Sequence, residues 1–223
     1  MGLINYLIYP IRDKWRSIIR VPKDRYDRSR LKNDNCTIFS NNCTGGVIYH
    51  NLGLQFLSPT INLYMEPKDY ITFLENPKHF CNSVIMTEEK TARSYPVGNL
   101  DGLKIYGVHY DSFKQLKEKW EKRSKRINWE NIIVFFIERD GCTHDDLVRF
   151  DKLNYNKIVF TKEEYFDIDS SYIIPNSYDE INKCVNNIVG YQSNTSLYRT
   201  IDAFDYVNFI NGNGKKLESY RFF

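Results

Sequence analysis

Cysteine is sparse and unpaired in this 223-residue chain: five residues, an odd number without a paired spacing, fit free thiols in a reducing compartment, not a disulfide framework. No second Cys or His pair accompanies Cys142 and His144, so the ligand spacing of a structural zinc site is missing and no metal is expected. Net charge is also small. A formal +3 gives no ground for nucleic-acid binding, and no nucleic-acid reading module accompanies it. The sequence has no internal repeat or low-complexity tract, which argues against a solenoid or a long linker. Met1 to Pro10 is apolar, but it lacks a basic n-region and a small-residue cleavage site. It also falls short of the roughly 20 apolar residues that cross a bilayer. A cytoplasmic protein, at most at the inner face of the membrane, is the expectation.

Aromatic residues, by contrast, are abundant. They make up 15% of the chain, enough with its length for one well-buried core. Charge is unevenly placed: residues 1 to 34 hold nine Lys/Arg against four Asp/Glu, +5, which leaves −2 for the rest. In this arm Leu3, Leu7, Ile8, Ile11, Trp15, Ile18 and Ile19 recur at helical spacing, with Arg12, Lys14, Arg16 and Arg20 between them. An N-terminal amphipathic helix is predicted, packed on its own domain, on a second subunit or, through residues 1–20, on anionic lipid. Val21-Pro22 and the charged run Lys23 to Asn35 read as an exposed connection. The chain thus divides into a basic arm, 1–34, and an α/β domain, 35–223.

Strand and helix signals alternate through that domain. Thr37 to Ser40, Leu103 to Val108, the continuous apolar run Ile132 to Ile137 and Lys157 to Phe160 read as strands. Helices are predicted after Gly45-Gly46, from Pro67, after Asp111 or Ser112, from Thr143, and last through Ile201, Phe204, Val207 and Ile210. This pattern predicts a three-layer α/β fold, a mainly parallel sheet with helices on both faces. Ligands of open parallel sheets bind beyond the carboxyl ends of the strands. Three such ends carry chemically capable residues: Asn42/Cys43, His109/Tyr110 and Glu138/Arg139/Asp140. If the strands are parallel neighbours, the three groups meet on one rim.

Cys43 stands where a strand turns into a helix, a position whose N–H groups and dipole favour a thiolate. The opposite reading is a buried cysteine beside a tight turn. Backbone N–H groups near Thr44, Gly45 and Gly46 could hold an oxyanion or phosphate. A nucleophilic thiol needs a base; His109 is preferred, because His50 stands about two helical turns on. Asp140 or Glu138 could orient that base or bind a metal, and Arg139 could hold a phosphate or carboxylate, unless the three form a salt-bridged loop. His79 reads as a surface histidine, and His144 as part of a helix's first turn. The basic helix Lys114 to Arg126 reads either as a solvated face or as counter-charge for an anionic donor, through Lys119, Arg123 and Arg126.

These residues also carry a resemblance. Ser40 to His50, Ser58 to Leu63, Tyr95 to Gly98, His109-Tyr110, Lys119 to Arg123, Arg126 to Asn128 and Arg139 to Thr143 resemble a bacterial family. Its members carry a domain of unknown function and are often labelled exopolysaccharide biosynthesis proteins. The likeness runs from about Cys36 to Phe209 and implies a surface-polysaccharide context. The Asn42-Cys43 turn is also similar to the Asn-Cys turn of a capsule-biosynthesis family of coenzyme A-dependent acyltransferases, and to that of papain-like proteins. The chain departs from the former at Thr44, where that family has Gln. Only Asn42 and Cys43 carry over.

Together these readings point to an acyltransferase, in the simplest case an acetyltransferase, acting on a sugar or polysaccharide precursor with coenzyme A as acyl donor. Cys43 would be the nucleophile or an anchor, and His109 the base. Two other classes remain open: a nucleotide-sugar glycosyltransferase using Asp140, Asp145 or Asp146 for a metal, and a non-catalytic assembly protein docked by its N-terminal helix.

Overall fold

The computed structural model describes residues 12, 15–193 and 196–218. In chain order its elements are α1 (Val21–Arg30), β1 (Thr37–Ser40), α2 (Thr44–Leu52), α3 (Pro67–Glu75), α4 (Pro77–Asn82), β2 (Thr87–Glu89), β3 (Val97–Leu100), β4 (Leu103–Tyr106), α5 (Phe113–Ser124), β5 (Ile132–Ile137), α6 (His144–Asp151), β6 (Asn156–Phe160), β7 (Ser171–Tyr172), β8 (Tyr178–Asp179), β9 (Cys184–Val185), a 3₁₀ turn (Thr200–Ala203) and α7 (Tyr206–Ile210).

The central sheet runs β1-β5-β6-β7, and all three pairings are parallel. β5 is apolar throughout because both its faces are covered. Val134 and Phe136 join Phe39, Tyr70, Phe73, Trp120 and Phe150 in one core. Ile133, Phe135 and Ile137 join Ile38, Ile48, Tyr49, Phe204 and Phe209 in the other. Side chains that alternate across a strand feed the two cores in turn. The predicted three-layer α/β architecture is therefore present.

Local chemistry accounts for the helix starts. Pro67 opens α3, and Ser112 Oγ accepts the Gln115 N–H at 3.3 Å to open α5. At α6 Thr143 and Asp146 form a reciprocal capping box: Thr143 Oγ1 accepts the Asp146 N–H, and Asp146 Oδ2 accepts the Thr143 N–H at 2.9 Å.

Three sequence expectations are corrected. β4 is not a neighbour of β1 and β5; it closes a separate antiparallel sheet, β2-β3-β4. It ends at Tyr106, because the Tyr110 N–H folds back onto the Gly107 carbonyl. The last helix is split: Phe204 bridges to Leu217, and Asp205 restarts the chain by capping the Asn208 N–H at 2.9 Å. The run after Val21 is no exposed connection but α1, with Lys23 and Asp27 fully buried.

The N-terminal stripe also departs from its pattern. Leu3, Leu7, Ile8 and Ile11 lie outside the described residues. Residues 15–19 are helical, yet Arg16 and Arg20 are buried against the domain while Trp15 and Ile18 are 61% and 57% exposed. Tertiary ion pairing explains the inversion, since Arg20 bonds both carboxylate oxygens of Asp202. No helix among the described residues is long and apolar enough to cross a membrane.

Candidate functional site

The turn after β1 is held by its own side chains. Asn42 Oδ1 accepts the Thr44 N–H at 3.0 Å and its hydroxyl at 2.7 Å, and Ser40 Oγ accepts the Gly45 N–H at 3.0 Å. A Cβ on Gly45 would lie 2.8 Å from that Oγ, so glycine is what lets the helix approach the strand so closely. Thr44 and Gly45 are consequently buried, and their N–H groups are engaged inside the turn. The N–H groups of Cys43 and Gly46 have no acceptor among the described residues.

Beside this turn opens a cleft of about 1050 Å³, lined by Asn42 and Cys43 of the turn and by Gly46 and His50 of α2. His109 reaches the same cleft from the turn after β4, and Arg139 and Asp140 reach it from the end of β5. The convergence expected of three parallel strand ends thus occurs across two sheets. Two ends belong to the parallel sheet, and His109 arrives from the antiparallel one.

A buried anchor sets the His109 turn. Tyr110 donates from its hydroxyl to the Ile61 carbonyl at 2.7 Å, and Arg123 Nη1 donates to that hydroxyl at 2.7 Å and to the same carbonyl at 3.2 Å. Arg123 also lies 5.3 Å from the ring of Phe56, a cleft-lining residue. It is therefore a buried support beneath the cleft and does not line it. Lys119 is exposed on α5, away from the cleft. Arg126 does not line the cleft; it lies two residues before Asn128, whose N–H bonds Thr37 Oγ1 at the start of β1.

Electrostatics correct the expected thiolate. Burial pushes the Cys43 thiol up from its ordinary value of 9.0, so at neutral pH the free protein holds it protonated. Cys43 should therefore react with iodoacetamide several-fold more slowly than a free cysteine at pH 7, and faster as pH climbs beyond 9. Peptide mass spectrometry separates Cys43 from Cys184 in that measurement; fast, pH-independent alkylation would mean a thiolate already formed.

The acidic residues are mostly engaged. Asp140, at φ 55° in the left-handed region, binds Arg139 Nε at 2.8 Å and makes no hydrogen bond to His109. Glu138 is buried and accepts from Lys162 Nζ and the Tyr165 hydroxyl, so it cannot orient the base. Asp146 caps α6 and Asp145 lies outside the cleft, and no metal-binding group of His, Cys, Asp and Glu forms among the described residues. Of Asp140, Asp145 and Asp146, the alternatives for a metal ligand, only Asp140 lines the cleft. His144 pairs with Asp167 at 3.0 Å, and His79 with Asp101 at 3.4 Å.

Several lining residues lie outside the motif reading. Tyr64, Glu66, Arg93 and Arg199 come from segments without periodic pattern. Tyr64 packs on Tyr106 at 5.4 Å, and burial, followed by the charges of Asp140 and Glu66, pushes its phenol up, keeping it a neutral donor. Tyr106 donates to Glu66 Oε1 at 2.7 Å. Arg123 did leave a signal: with Leu116 and Trp120 it falls on the inward stripe of α5.

Among known proteins, an uncharacterized protein of Haemophilus influenzae (strain Rd) is 36% identical to this chain over 183 residues, covering 82% of this chain and 87% of that protein. The family described as a domain of unknown function, DUF1919, matches residues 14–211, which include α1 and every wall of the cleft. The chain therefore belongs to the DUF1919 family, and its cleft is a site built on that family's fold.

Proposed function

We propose that the chain is an acyltransferase of cell-surface polysaccharide synthesis, moving an acyl group, acetyl in the simplest case, from coenzyme A to a sugar hydroxyl. The observation that carries this reading is the placement of Cys43 and His109, from two separate sheets, on one cleft. Because burial raises the thiol, the nucleophile needs a base at hand. His109 takes the Sγ proton as the sulfur attacks the thioester carbonyl, and the developing oxyanion meets the N–H groups of Cys43 and Gly46. Breaking the carbonyl–sulfur bond releases coenzyme A, which leaves as a thiol with the imidazolium proton. A sugar hydroxyl then attacks acyl-Cys43 and forms the ester, and its proton returns through His109 to the cysteine sulfur. The polysaccharide setting rests on the resemblance carried by Ser40 to His50 and Arg139 to Thr143. Outward-facing Trp15 and Ile18 support recruitment of the arm to a membrane face or second subunit.

Full-length protein incubated with acetyl-coenzyme A should carry an acetyl group on Cys43 by peptide mass spectrometry, and Cys43→Ala should carry none. Thermal stabilisation by coenzyme A accompanies that result. Stabilisation by a nucleotide sugar with Mg²⁺ but not by coenzyme A, with no acetylated cysteine, would replace this reading by glycosyl transfer. A shift with neither, together with recruitment lost on deleting residues 1–20, would make the chain an assembly protein.

A further inference from the structure

The cleft holds positive charge from three separate segments. Arg93 lies in the β2–β3 connection, Arg139 follows β5, and Arg199 precedes the 3₁₀ turn. Their carboxylate complement is smaller, Glu66 and Asp140, and Glu66 already receives the Tyr106 hydroxyl. Arg139 is paired with Asp140 through Nε. Arg93 and Arg199 have no ion-pair partner among the described residues.

Arg199 is the more informative of the two. Its guanidinium lies 5.3 Å from the centre of the Tyr191 ring, which also carries Arg16 at 3.9 Å. Its Nε is buried without a hydrogen-bond partner. The carboxylate nearest in sequence, Asp202, accepts the Arg199 backbone N–H but is held by Arg20 through both oxygens. A cation is thus fixed at the cleft wall while its natural counter-ion is committed elsewhere. Arg93 is held in a similar way, 5.0 Å from the centre of the Tyr106 ring and bonded to the Tyr95 hydroxyl at 2.9 Å. Stacking on an aromatic face fixes a guanidinium and leaves its N–H edge available for a bidentate anion.

We propose that Arg199, with Arg93 and Arg139, forms a diphosphate-binding wall of the cleft. Planar forks match phosphate oxygens in pairs, and cations on three segments can serve two linked phosphates where one cation serves a single anionic group. This moves the anion site expected on the α5 face around Lys119 into the cleft itself. The proposal rests on the cleft being the transfer site. Two molecules would bring this chemistry there: the ADP portion of coenzyme A, or the diphosphate of an activated sugar.

Isothermal titration of the full chain with inorganic pyrophosphate tests the wall directly. Binding should weaken at least about tenfold in Arg199→Ala and in Arg93→Ala, and only partly recover in Arg199→Lys, which keeps the charge but loses the fork. It should also weaken with added salt. Displacement of pyrophosphate by coenzyme A but not by UDP-N-acetylglucosamine assigns the wall to the acyl donor, and the reverse assigns it to an activated sugar. Pyrophosphate binding is read without acyl donor or turnover, so a failed acyl-transfer reading leaves this measurement intact. No pyrophosphate binding to the wild type, or unchanged affinity in both alanine variants, would overturn the proposal.

Discussion

Cys43→Ser is expected to slow acyl transfer on the order of 10³-fold or more, a loss of about 4 kcal/mol of transition-state stabilisation. The serine hydroxyl ionises far less readily than a thiol, so a base placed for sulfur gains little from it. An anchoring cysteine would behave otherwise, because serine fills nearly the same space and most activity would survive. His109 gives the second readout. Without it the rate should depend on the Cys43 thiol ionising unaided. Burial holds that thiol above 9.0, so the thiolate fraction is small at neutral pH and grows as pH rises. His109→Gln should therefore be strongly impaired at pH 7 and still gaining activity beyond pH 9, where the wild type has levelled. Equal pH profiles for the two proteins would remove His109 as the base.

Much of this arrangement was legible in the residues, and the illegible parts share one cause. The run Ile132 to Ile137 identifies a strand buried on both faces, and Pro67, Ser112 and Thr143 mark helix starts by chemistry that acts within four residues. The Asn42-Cys43 turn is local as well, since the Asn42 side chain and the Ser40 hydroxyl accept from Thr44 and Gly45. What periodicity does not encode is the partner. β4 reads correctly as a strand, but nothing in Leu103 to Tyr106 says that it pairs with β3 and not with β1. His109 reaches the cleft regardless, because the Arg123–Tyr110–Ile61 anchor places its turn. Arg93 and Arg199 belong to loops, so only the folded chain brings them to Cys43. Charge runs mislead for the same reason: Arg30 pairs with Glu218, 188 positions away.

A large loss of stability is expected from replacing Asp27, which joins local and distant partners. Its carboxylate is fully buried and accepts from Lys23 Nζ at 2.8 Å, from Arg30 Nη2 at 3.0 Å and from the Tyr206 hydroxyl at 2.7 Å. Lys23 is itself fully buried, and its remaining carboxylate, Glu218, stands at 3.6 Å. Asp27→Ala leaves that ammonium in the interior without its closest counter-charge, and removing one member of a buried pair costs about 3–5 kcal/mol. For a chain of this length that is a fall in Tm on the order of 10 °C. Removing both charges is different. Lys23→Met/Asp27→Leu deletes the desolvation cost with the attraction, so the double variant should recover much of the loss, although Arg30 and Tyr206 each lose one contact. Urea unfolding of the single and double variants measures the coupling. A loss below about 1 kcal/mol in Asp27→Ala would mean that water enters the network and that α1 is held mainly by apolar contact. A double variant as unstable as the single would show that Asp27 matters through Arg30 and Tyr206, which tie α1 to α7 and the chain's C-terminal segment.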